Sequence, residues 1–586
     1  MSMRMGWIGC AALALSGWIG AQEAPGERLT GLWGVEQSLG PLVKGELTID
    51  AREGQWHASI GGLHASVERS GETMRFALPA DSGEFRGRVA QDGSIVGHWI
   101  QPGAVFPYGS RYASPVVLAK IAPNAWRGAV APLDQRISFY VQISRLHDGR
   151  LSATIRNPEA NLFRGRVYTV VLNGDAVAFQ RDGHANFDGR LDTESDSLQI
   201  PLLNSYPAFK LTRRGDGTAV GFNPRIGEDA RRYVYRPPLA AGDGWPTGTL
   251  AEAGIDSPAI AELIERILTT PAGSENPVAM HSLLIARHGK LVLEEYFFGT
   301  DAWRTHDMRS ASKTFTSALV GIARQNGVPV AADTRVYAVG KTAKPDPRRE
   351  ALTLGHLLSM TSGLDCDDNR DSPGNEDTMQ NQDKQPDWVQ YALDLPMLST
   401  PGGDHAIYCS ASINLAAGVL RKITNTWIPD LFYQTLARPL GITEYHLNLA
   451  PNGEAYMGGG WYLRPRDQLK LGQLYLNGGT WNGKRLVSKE WVGESTSVHA
   501  TFTPRPPFDT DHGYGYAWHS RPLEFGGRTY RDYYAAGNGG QYVIVIPSLD
   551  LVIGITGGDY SEARKFYPWE SEIVPRYVIR AATVTH

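Results

Sequence analysis

A change of hydrophobic pattern near residue 240 is the feature that most constrains how this 586-residue chain can fold. Before the change, short runs such as Glu46–Asp50 alternate apolar and polar residues, and Gly, Asp and Asn separate them at hairpin spacing. After the Pro- and Gly-rich segment Tyr235–Pro246, apolar residues recur at helical spacing, first over Ile260–Ile267. The pattern therefore predicts three parts: an all-β domain at residues 28–236, a linker at 237–249 and an α+β domain at 250–586.

The all-β part contains four pairs of similar segments that occur in the same order. The pairs are Gly31–Gly34 with Ala125–Gly128, Gln55–Ile60 with Arg150–Ile155, Gly71–Phe76 with Gly174–Phe179, and Phe85–Arg88 with Phe187–Arg190. Hairpin-rich stretches can share such alternation by chance, which is the alternative explanation. The preserved order favours an internal duplication, and a lipocalin-like barrel or a pair of antiparallel sheets is the architecture we expect.

The first 21 residues have the layout of a secretory signal peptide. Arg4 supplies a positive charge, the stretch from Gly6 to Gly20 is apolar, and Ala21 is a small residue suited to cleavage. The alternative is a membrane anchor, but a spanning helix needs about 20 apolar residues and this run is shorter. We therefore expect a signal peptide at residues 1–21, no membrane segment after its removal, and a secreted or periplasmic protein.

Charge and cysteine content narrow the possible partners and the compartment. A net charge of −4 gives no electrostatic reason to expect nucleic acid or an anionic membrane as a partner. Removal of the signal peptide leaves Cys366 and Cys409, which an exported chain can join in one disulfide or keep as two buried thiols. The acidic segment Asp365–Asp377 lacks the spacing of a calcium-binding loop, so we expect a solvated loop over the cleft of the α+β domain and no metal site.

Ser310 and Lys313 are the residues on which a chemical function can be argued. They open the apolar, helix-like segment that continues to Ala323, and a spacing of three places both side chains on one helix face. A serine hydroxyl becomes a strong nucleophile when a neighbouring base takes its proton. A partly buried lysine can be that base. The four-residue pattern alone arises by chance about once in a chain of this length, so its context has to support it.

The context resembles a known family over residues 250–586. The segments that carry the resemblance, besides Ser310 and Lys313, are Leu354–Leu364, Gly459–Asp467, Gly513–Trp518 and Gly537–Pro547. In this order they resemble motifs of the β-lactamase-related serine hydrolases, which include class C β-lactamases, D-Ala-D-Ala peptidases, family VIII esterases and 6-aminohexanoate-oligomer hydrolases. The resemblance implies a β-lactamase/transpeptidase-like domain, an acyl-enzyme on Ser310, and no cofactor.

Two further motifs of the family are altered in this chain. Tyr408-Cys-Ser410 stands where the family has Tyr-x-Asn, which implies that Tyr408 shares proton transfer with Lys313 and that Ser410 contacts Lys313 or substrate. Gly537-Asn538-Gly539 stands where β-lactamases have Lys-Thr-Gly or His-x-Gly, which implies an oxyanion and substrate-binding strand without a cation. An ordinary tight turn is the alternative for the glycines, and a packed loop aromatic is the alternative for Tyr408.

These observations predict an exported serine hydrolase that cleaves a small ester or amide. Ser310 would be the nucleophile, and Lys313 with Tyr408 would transfer the proton. Three alternatives stay open: a β-lactamase or D-aminopeptidase, a catalytically weak penicillin-binding or peptidoglycan-sensing protein, and a chain whose β domain binds a ligand or envelope partner as its main function. The oligomeric state does not follow from the sequence.

Overall fold

The structure is a computed structural model that describes most of the 586 residues. The described ranges are 26–39, 42–103, 109–203, 206–215, 217–218, 220–227, 232–271, 278–381, 385–504 and 512–583. The predicted signal peptide therefore lies outside the described residues and stays a prediction. Within the described ranges, every helix is too short or too polar to serve as a membrane span.

The N-terminal part is built from antiparallel strands, as the alternating pattern predicts. Alternate residues of a strand point to opposite faces, so Leu47 and Ile49 are buried while Thr48 between them is less so. The strands are β1 (Gly31–Ser38), β2 (Gly45–Arg52), β3 (Gln55–Ile60), β4 (Leu63–Ser66), β5 (Glu68–Ser70), β6 (Thr73–Ala77), β7 (Glu84–Val89), β8 (Ile95–Gln101), β9 (Arg111–Ala122), β10 (Ala125–Val130), β11 (Arg136–Arg145), β12 (Leu151–Arg156), β13 (Val167–Asn173), β14 (Ala176–Arg181), β15 (His184–Asp192), β16 (Ser197–Ile200) and β17 (Phe209–Arg214).

These strands form a sheet and a closed barrel. The first strand, β1, belongs to the barrel, and the next nine belong to the sheet. The sheet has the order β4-β3-β2-β10-β9-β8-β7-β6-β5. The barrel contains β11 to β17 and is closed by β1, which pairs with both β11 and β17. Its interior is filled by apolar side chains such as Trp33, Phe139 and Phe179. Because β1 closes the barrel while β2 enters the sheet, the connection between them crosses from one unit to the other.

The four pairs of similar segments lie on four pairs of strands, and in each pair one strand belongs to the sheet and the other to the barrel. They fall on β1 and β10, β3 and β12, β6 and β14, and β7 and β15. β10 lies between β2 and β9 in the sheet, and β1 lies between β11 and β17 in the barrel. The all-β class is confirmed. The duplication, the lipocalin-like comparison and the proposed domain limits stay predictions.

The C-terminal part is a mixed α+β domain, as predicted, around an eight-stranded sheet of order β19-β18-β32-β31-β30-β27-β26-β25. Its strands are β18 (Met280–Arg287), β19 (Lys290–Tyr296), β20 (His306–Asp307), β21 (Tyr445–Leu449), β22 (Tyr462–Leu463), β23 (Thr480–Trp481), β24 (Lys484–Arg485), β25 (Ala500–Thr501), β26 (Gly513–Tyr514), β27 (His519–Ser520), β28 (Pro522–Phe525), β29 (Arg528–Arg531), β30 (Tyr533–Gly537), β31 (Gln541–Ile546) and β32 (Leu551–Gly557).

Helices cover both faces of this sheet. They are α1 (Ser257–Thr269), α2 (Lys313–Gln325), α3 (Val336–Val339), α4 (Leu354–Leu358), α5 (Glu376–Gln380), α6 (Trp388–Leu393), α7 (Ser410–Thr424), α8 (Ile428–Phe432), α9 (Pro465–Leu476), α10 (Lys489–Thr496), α11 (Ala563–Pro568) and α12 (Arg580–Thr583), with π-helical turns at Tyr433–Ala437 and Trp569–Ile579. Ile553 and Ile555, which are two positions apart on β32, both pack in the hydrophobic cluster that contains α1. Val552 packs in the opposite cluster with α2 and α9.

The two parts are joined by continuous strand pairing. β21 pairs with β9 of the N-terminal sheet through Leu447 and Ala113, and its first residues, Tyr445 and His446, pair with β22. β22 in turn pairs with β20, which ends at Asp307. Buried polar contacts reinforce the junction, because Ser114 Oγ lies 2.8 Å from His446 Nδ1. The N-terminal sheet therefore reaches the strand that precedes Ser310.

We expect the C-terminal domain to depend on the β domain for its stability. Deletion of residues 28–236 would leave β21 without its β9 partner and would expose buried residues such as Leu447. The truncated chain should aggregate or melt without a cooperative transition, as followed by size-exclusion chromatography and circular dichroism against the full chain. A monodisperse truncated protein with the melting temperature of the full chain would contradict this expectation.

Candidate active site

Ser310 lies on a 3-10 turn, Arg309–Ser312, between β20 and α2. Hydrogen bonds from the backbone N–H groups of Met308 and Arg309 stabilise this turn. Met308 N donates to Trp461 O at 2.8 Å, and Arg309 N donates to Asp307 Oδ1 at the same distance. Arg309 adopts a φ of 49°, which is uncommon for a residue with a side chain and is stabilised by these contacts. The result is a fixed turn that presents Ser310 to a cavity.

Lys313 contacts Ser310 directly. Its Nζ lies 2.8 Å from Ser310 Oγ and also donates to Gly458 O. Lys313 is 1% exposed, and this burial is the largest influence on its pKa, which it lowers. A lysine with a lowered pKa has more of the neutral amine that can accept a proton. The structure thus brings together the two residues that the sequence spacing paired.

Tyr408 lies next to both Lys313 and Ser310. The centroid of its ring is 5.0 Å from Lys313 Nζ. Burial raises the pKa of Tyr408, and its hydrogen bond with Ser310 acts in the opposite direction. The phenol therefore stays protonated near neutral pH and can donate its proton. Ser310, Lys313 and Tyr408 form one connected group.

Ser410 takes a different position from the one expected of it. It is fully buried at the start of α7, where its Oγ donates to Asp368 Oδ2 at 2.6 Å and its N donates to the same oxygen at 2.8 Å. It is absent from the lining of the cavity around Ser310 in the described part of the chain. The hydroxyl therefore fixes Asp368, which is one of the two carboxylates whose charge acts on Lys313.

The cavity at Ser310 has a volume of about 350 Å³ and mixed walls. Aromatic rings make up much of it: Tyr408, Phe502, Tyr534, Tyr542, Phe566 and Tyr567. Arg521 and Glu570 also line it, and Arg521 Nη1 contacts Glu570 Oε2 at 2.9 Å. The sequence interpretation found no cation for this cleft. Arg521 is one, but it is bound in an ion pair of the cavity wall.

The glycine-containing segment after β30 borders the same cavity. Gly537 and Asn538 line it with Ser310, whereas Gly539 lies outside the lining. A Cβ at Gly537 would lie 2.3 Å from Met308 O, so only glycine lets this strand approach the turn that carries Ser310. Gly539, with a φ of 92°, packs instead beside Tyr560, where a Cβ would clash at 2.6 Å. Gly537 and Asn538 thus face the nucleophile, and Gly539 shapes the turn behind them.

Cys366 and Cys409 form a disulfide in the structure, with a Cα–Cα distance of 5.5 Å. The bond joins the acidic segment Asp365–Asp377 to the residue that follows Tyr408. Asp367 and Asn369 border the cavity, in keeping with a loop over the cleft. The expectation that the whole segment is solvated is wrong, because Asp368 and Glu376 are partly buried and influence Lys313 electrostatically.

Asp368 and Glu376 are the site residues that sequence reasoning missed. The sequence did contain a partial indication that Asp368 lies near Ser410. Asp368 lies two residues after Cys366, and Ser410 lies one residue after Cys409. A disulfide between these cysteines brings the two segments together. The burial of the carboxylates, however, depends on packing between distant elements.

A comparison with protein families matches residues 275–566 to the beta-lactamase family model. A 6-aminohexanoate-dimer hydrolase from Paenarthrobacter ureafaciens is 23% identical over 221 residues, which are 36% of this chain and 55% of that protein. The chain thus spans about half the length of this curated relative.

Solved structures similar to the chain come from several kinds of protein. A penicillin-binding protein homolog from Caulobacter crescentus is 15% identical, with a TM-score of 0.42 and coverage of 53% of this chain and 93% of that one. A family VIII carboxylesterase is also 15% identical, with a TM-score of 0.41 and coverage of 57% and 98%. The family model, which covers residues 275–566, identifies this part of the chain as a beta-lactamase family domain.

Proposed function

We propose that the chain is an exported acyl hydrolase that cleaves a small ester or amide through an acyl-enzyme on Ser310. The contact of 2.8 Å between Lys313 Nζ and Ser310 Oγ, at the wall of an accessible cavity, carries the proposal. Such a contact lets the amine take the hydroxyl proton as the oxygen attacks a carbonyl carbon. The family match over residues 275–566 supports the same chemistry.

The reaction proceeds in two steps. In the first, Ser310 Oγ bonds to the carbonyl carbon, its proton passes to Lys313 Nζ, and the carbonyl oxygen becomes an oxyanion. The carbonyl then re-forms as the bond to the alcohol or amine breaks, and Tyr408 donates a proton to this leaving group and is reprotonated from Lys313. In the second step, water attacks the acyl carbon and gives a proton to the same pair of residues. The bond from this carbon to Ser310 Oγ then breaks, the pair returns the proton to Ser310, and the acid is released. The backbone N–H groups of Ser310 and of the Asn538 segment are the oxyanion donors in this proposal.

The cavity favours an uncharged substrate with apolar groups. Six aromatic side chains provide contact area for such groups. The positive charge of Arg521 is balanced by Glu570, so the wall offers a paired charge rather than a free cation for a substrate carboxylate. We therefore place neutral esters and amides ahead of β-lactams and D-Ala-D-Ala peptides.

A second candidate is a penicillin-binding or peptidoglycan-sensing protein that is acylated and turns over slowly. The observation that favours it is the bond between Ser410 and Asp368, which leaves the usual Asn position of the family without a group on the cavity wall. Export is part of both proposals. The layout of residues 1–21 and the Cys366–Cys409 disulfide support an oxidising compartment.

Substitution of the nucleophile tests the proposed function. Ser310→Ala should lower kcat/KM for a chromogenic ester or anilide by at least about 10³-fold, because no other group then forms the acyl-enzyme. Ser497→Ala, at an exposed serine outside the cavity, should leave the rate unchanged. Full activity in Ser310→Ala would refute the mechanism. Stable labelling of Ser310 by a chromogenic cephalosporin, without turnover of esters or amides, would favour the second candidate.

The disulfide should contribute to both stability and activity. It closes a loop with a sequence separation of 43 residues, and loss of such a constraint costs about 4 kcal/mol in the free energy of unfolding. We expect Cys366→Ser/Cys409→Ser to unfold at lower urea concentration and to lose ester hydrolysis, because the segment with Asp368 is no longer tied to Tyr408. Unchanged urea midpoint and activity in the double variant would contradict this prediction.

A further inference from the structure

Two acidic residues lie close enough to the buried Lys313 to influence its pKa. The charges of Glu376 and Asp368 raise the pKa of Lys313, against the larger effect of burial, which lowers it. Conversely, burial raises the pKa of each carboxyl, and the positive charge of Lys313 lowers it. Lys313 and each carboxylate therefore stabilise each other's charged form, whereas the charge of Asp368 raises the pKa of Glu376. Neither Glu376 nor Asp368 takes part in the proton transfers proposed for Ser310, Lys313 and Tyr408.

Hydrogen bonds fix Glu376 beside the turn that contains Gly458, the residue whose carbonyl accepts from Lys313. Its Oε1 accepts from the Tyr456 hydroxyl and, at 3.3 Å, from Gln380 Nε2. A Cβ at Gly459 would lie 3.7 Å from this same oxygen, and the preceding residue, Gly458, accepts the hydrogen bond from Lys313 Nζ. The carboxylate and the amine are thus placed against one backbone turn.

Asp368 is held just as firmly on the side of Tyr408. Its Oδ2 accepts from Ser410 N and Oγ, and its Oδ1 accepts from Glu376 N at 2.9 Å. Its own N donates to Tyr408 O at 2.9 Å. The nearby Cys366–Cys409 disulfide fixes the same two segments covalently. Asp368 therefore cannot change its position near Tyr408 without breaking several of these contacts.

The other titratable groups around Lys313 do not cancel this negative charge. The pKa of His519 is lowered well below its usual value, first by burial and also by Lys313, so the imidazole is neutral. Burial raises the pKa of Tyr408 and of Tyr456, so both phenols are neutral as well. Arg309 lowers the pKa of Glu376 and thus favours its charged form. Asp307, whose Oδ2 contacts Arg309 Nε at 2.8 Å, has a pKa raised by burial to about 7.

We propose that Glu376 and Asp368 are positioning residues that stabilise the ammonium which Lys313 becomes when it accepts the Ser310 proton. In that step the O–H bond of Ser310 breaks, an N–H bond forms on Lys313, and a positive charge appears beside an oxyanion. A carboxylate pair fixed by hydrogen bonds before the reaction stabilises this charge without reorganisation. The inference rests on the proposed function, because it assigns a role within the same reaction.

The proposal fixes the direction of a pH effect. Lys313 must be neutral to accept a proton, so kcat/KM rises with pH through the pKa of Lys313. The carboxylates favour the charged lysine, and removal of one of them therefore lowers this pKa. The acidic limb of the profile should move to lower pH, while the maximal rate falls because the ammonium in the transition state is less stabilised.

Neutral isosteres test this effect. We expect Glu376→Gln and Asp368→Asn each to shift the acidic limb of kcat/KM by about one pH unit downward and to lower its plateau about tenfold. Glu376→Asp, which keeps the charge, should keep the acidic limb within a few tenths of a unit. Asp377→Asn is the matched control, since Asp377 is the exposed neighbour of Glu376 on α5, and its profile should equal that of the wild type. The pH dependence of Ser310 labelling by a fluorophosphonate gives a second readout.

The outcomes separate this inference from the proposed function. Activity in Ser310→Ala would overturn both. Loss of activity in Ser310→Ala together with unchanged pH profiles in Glu376→Gln and Asp368→Asn would overturn the inference alone. A lower plateau without a shift of the limb would also overturn it, because a merely structural role predicts that result. If neither isostere folds, Ser410→Ala carries the test: it removes the 2.6 Å bond to Asp368, and an unshifted limb would then overturn the inference.

Discussion

The contact between the buried Lys313 amine and Ser310 Oγ is the interaction on which the site depends. A lysine that is 1% exposed must have its polar atom satisfied, and the only partners with matching geometry are Ser310 and the Gly458 carbonyl among the described residues. Those two partners come from separate parts of the chain. The position of the nucleophile, the turn at Gly458 and the start of α2 are therefore determined together, and a shift of any one of them removes a hydrogen bond of the buried amine.

Close backbone approach supplies the second constraint. Gly537 lets the last strand of the site lie against Met308 and Ala311, where a Cβ would meet Met308 O at 2.3 Å. The disulfide supplies the third, because it fixes the segment with Asp368 beside Tyr408. Each constraint brings one wall of the cavity to Ser310. Side chains at the site can thus be held within hydrogen-bonding distance although they come from elements far apart in the sequence.

Local features of this site could be predicted from the sequence, and long-range ones could not. The spacing of Ser310 and Lys313 is a property of one turn, and the ordered motifs around it indicate Tyr408 and the Gly537 segment. The partner of Ser410 is 42 residues away, and its identity depends on the folded path of the acidic segment. Acidic residues are usually solvated, so Asp368 and Glu376 could be recognised as buried only in the structure. In the same way, the alternating pattern predicts β strands but does not indicate that β1 closes the barrel formed by β11 to β17.

The β domain is part of the architecture of the site rather than a separate attachment. Strand pairing runs from β9 through β21 and β22 to β20, and Ser310 follows β20 by three residues. His98 of β8 adds a contact of 2.8 Å to the Tyr445 hydroxyl at the start of β21. Because strand register is strongly specified where one face is buried, these pairings fix β20 relative to β9. The geometry of the nucleophile is in this way tied to a sheet whose strands precede the whole hydrolase domain in the sequence.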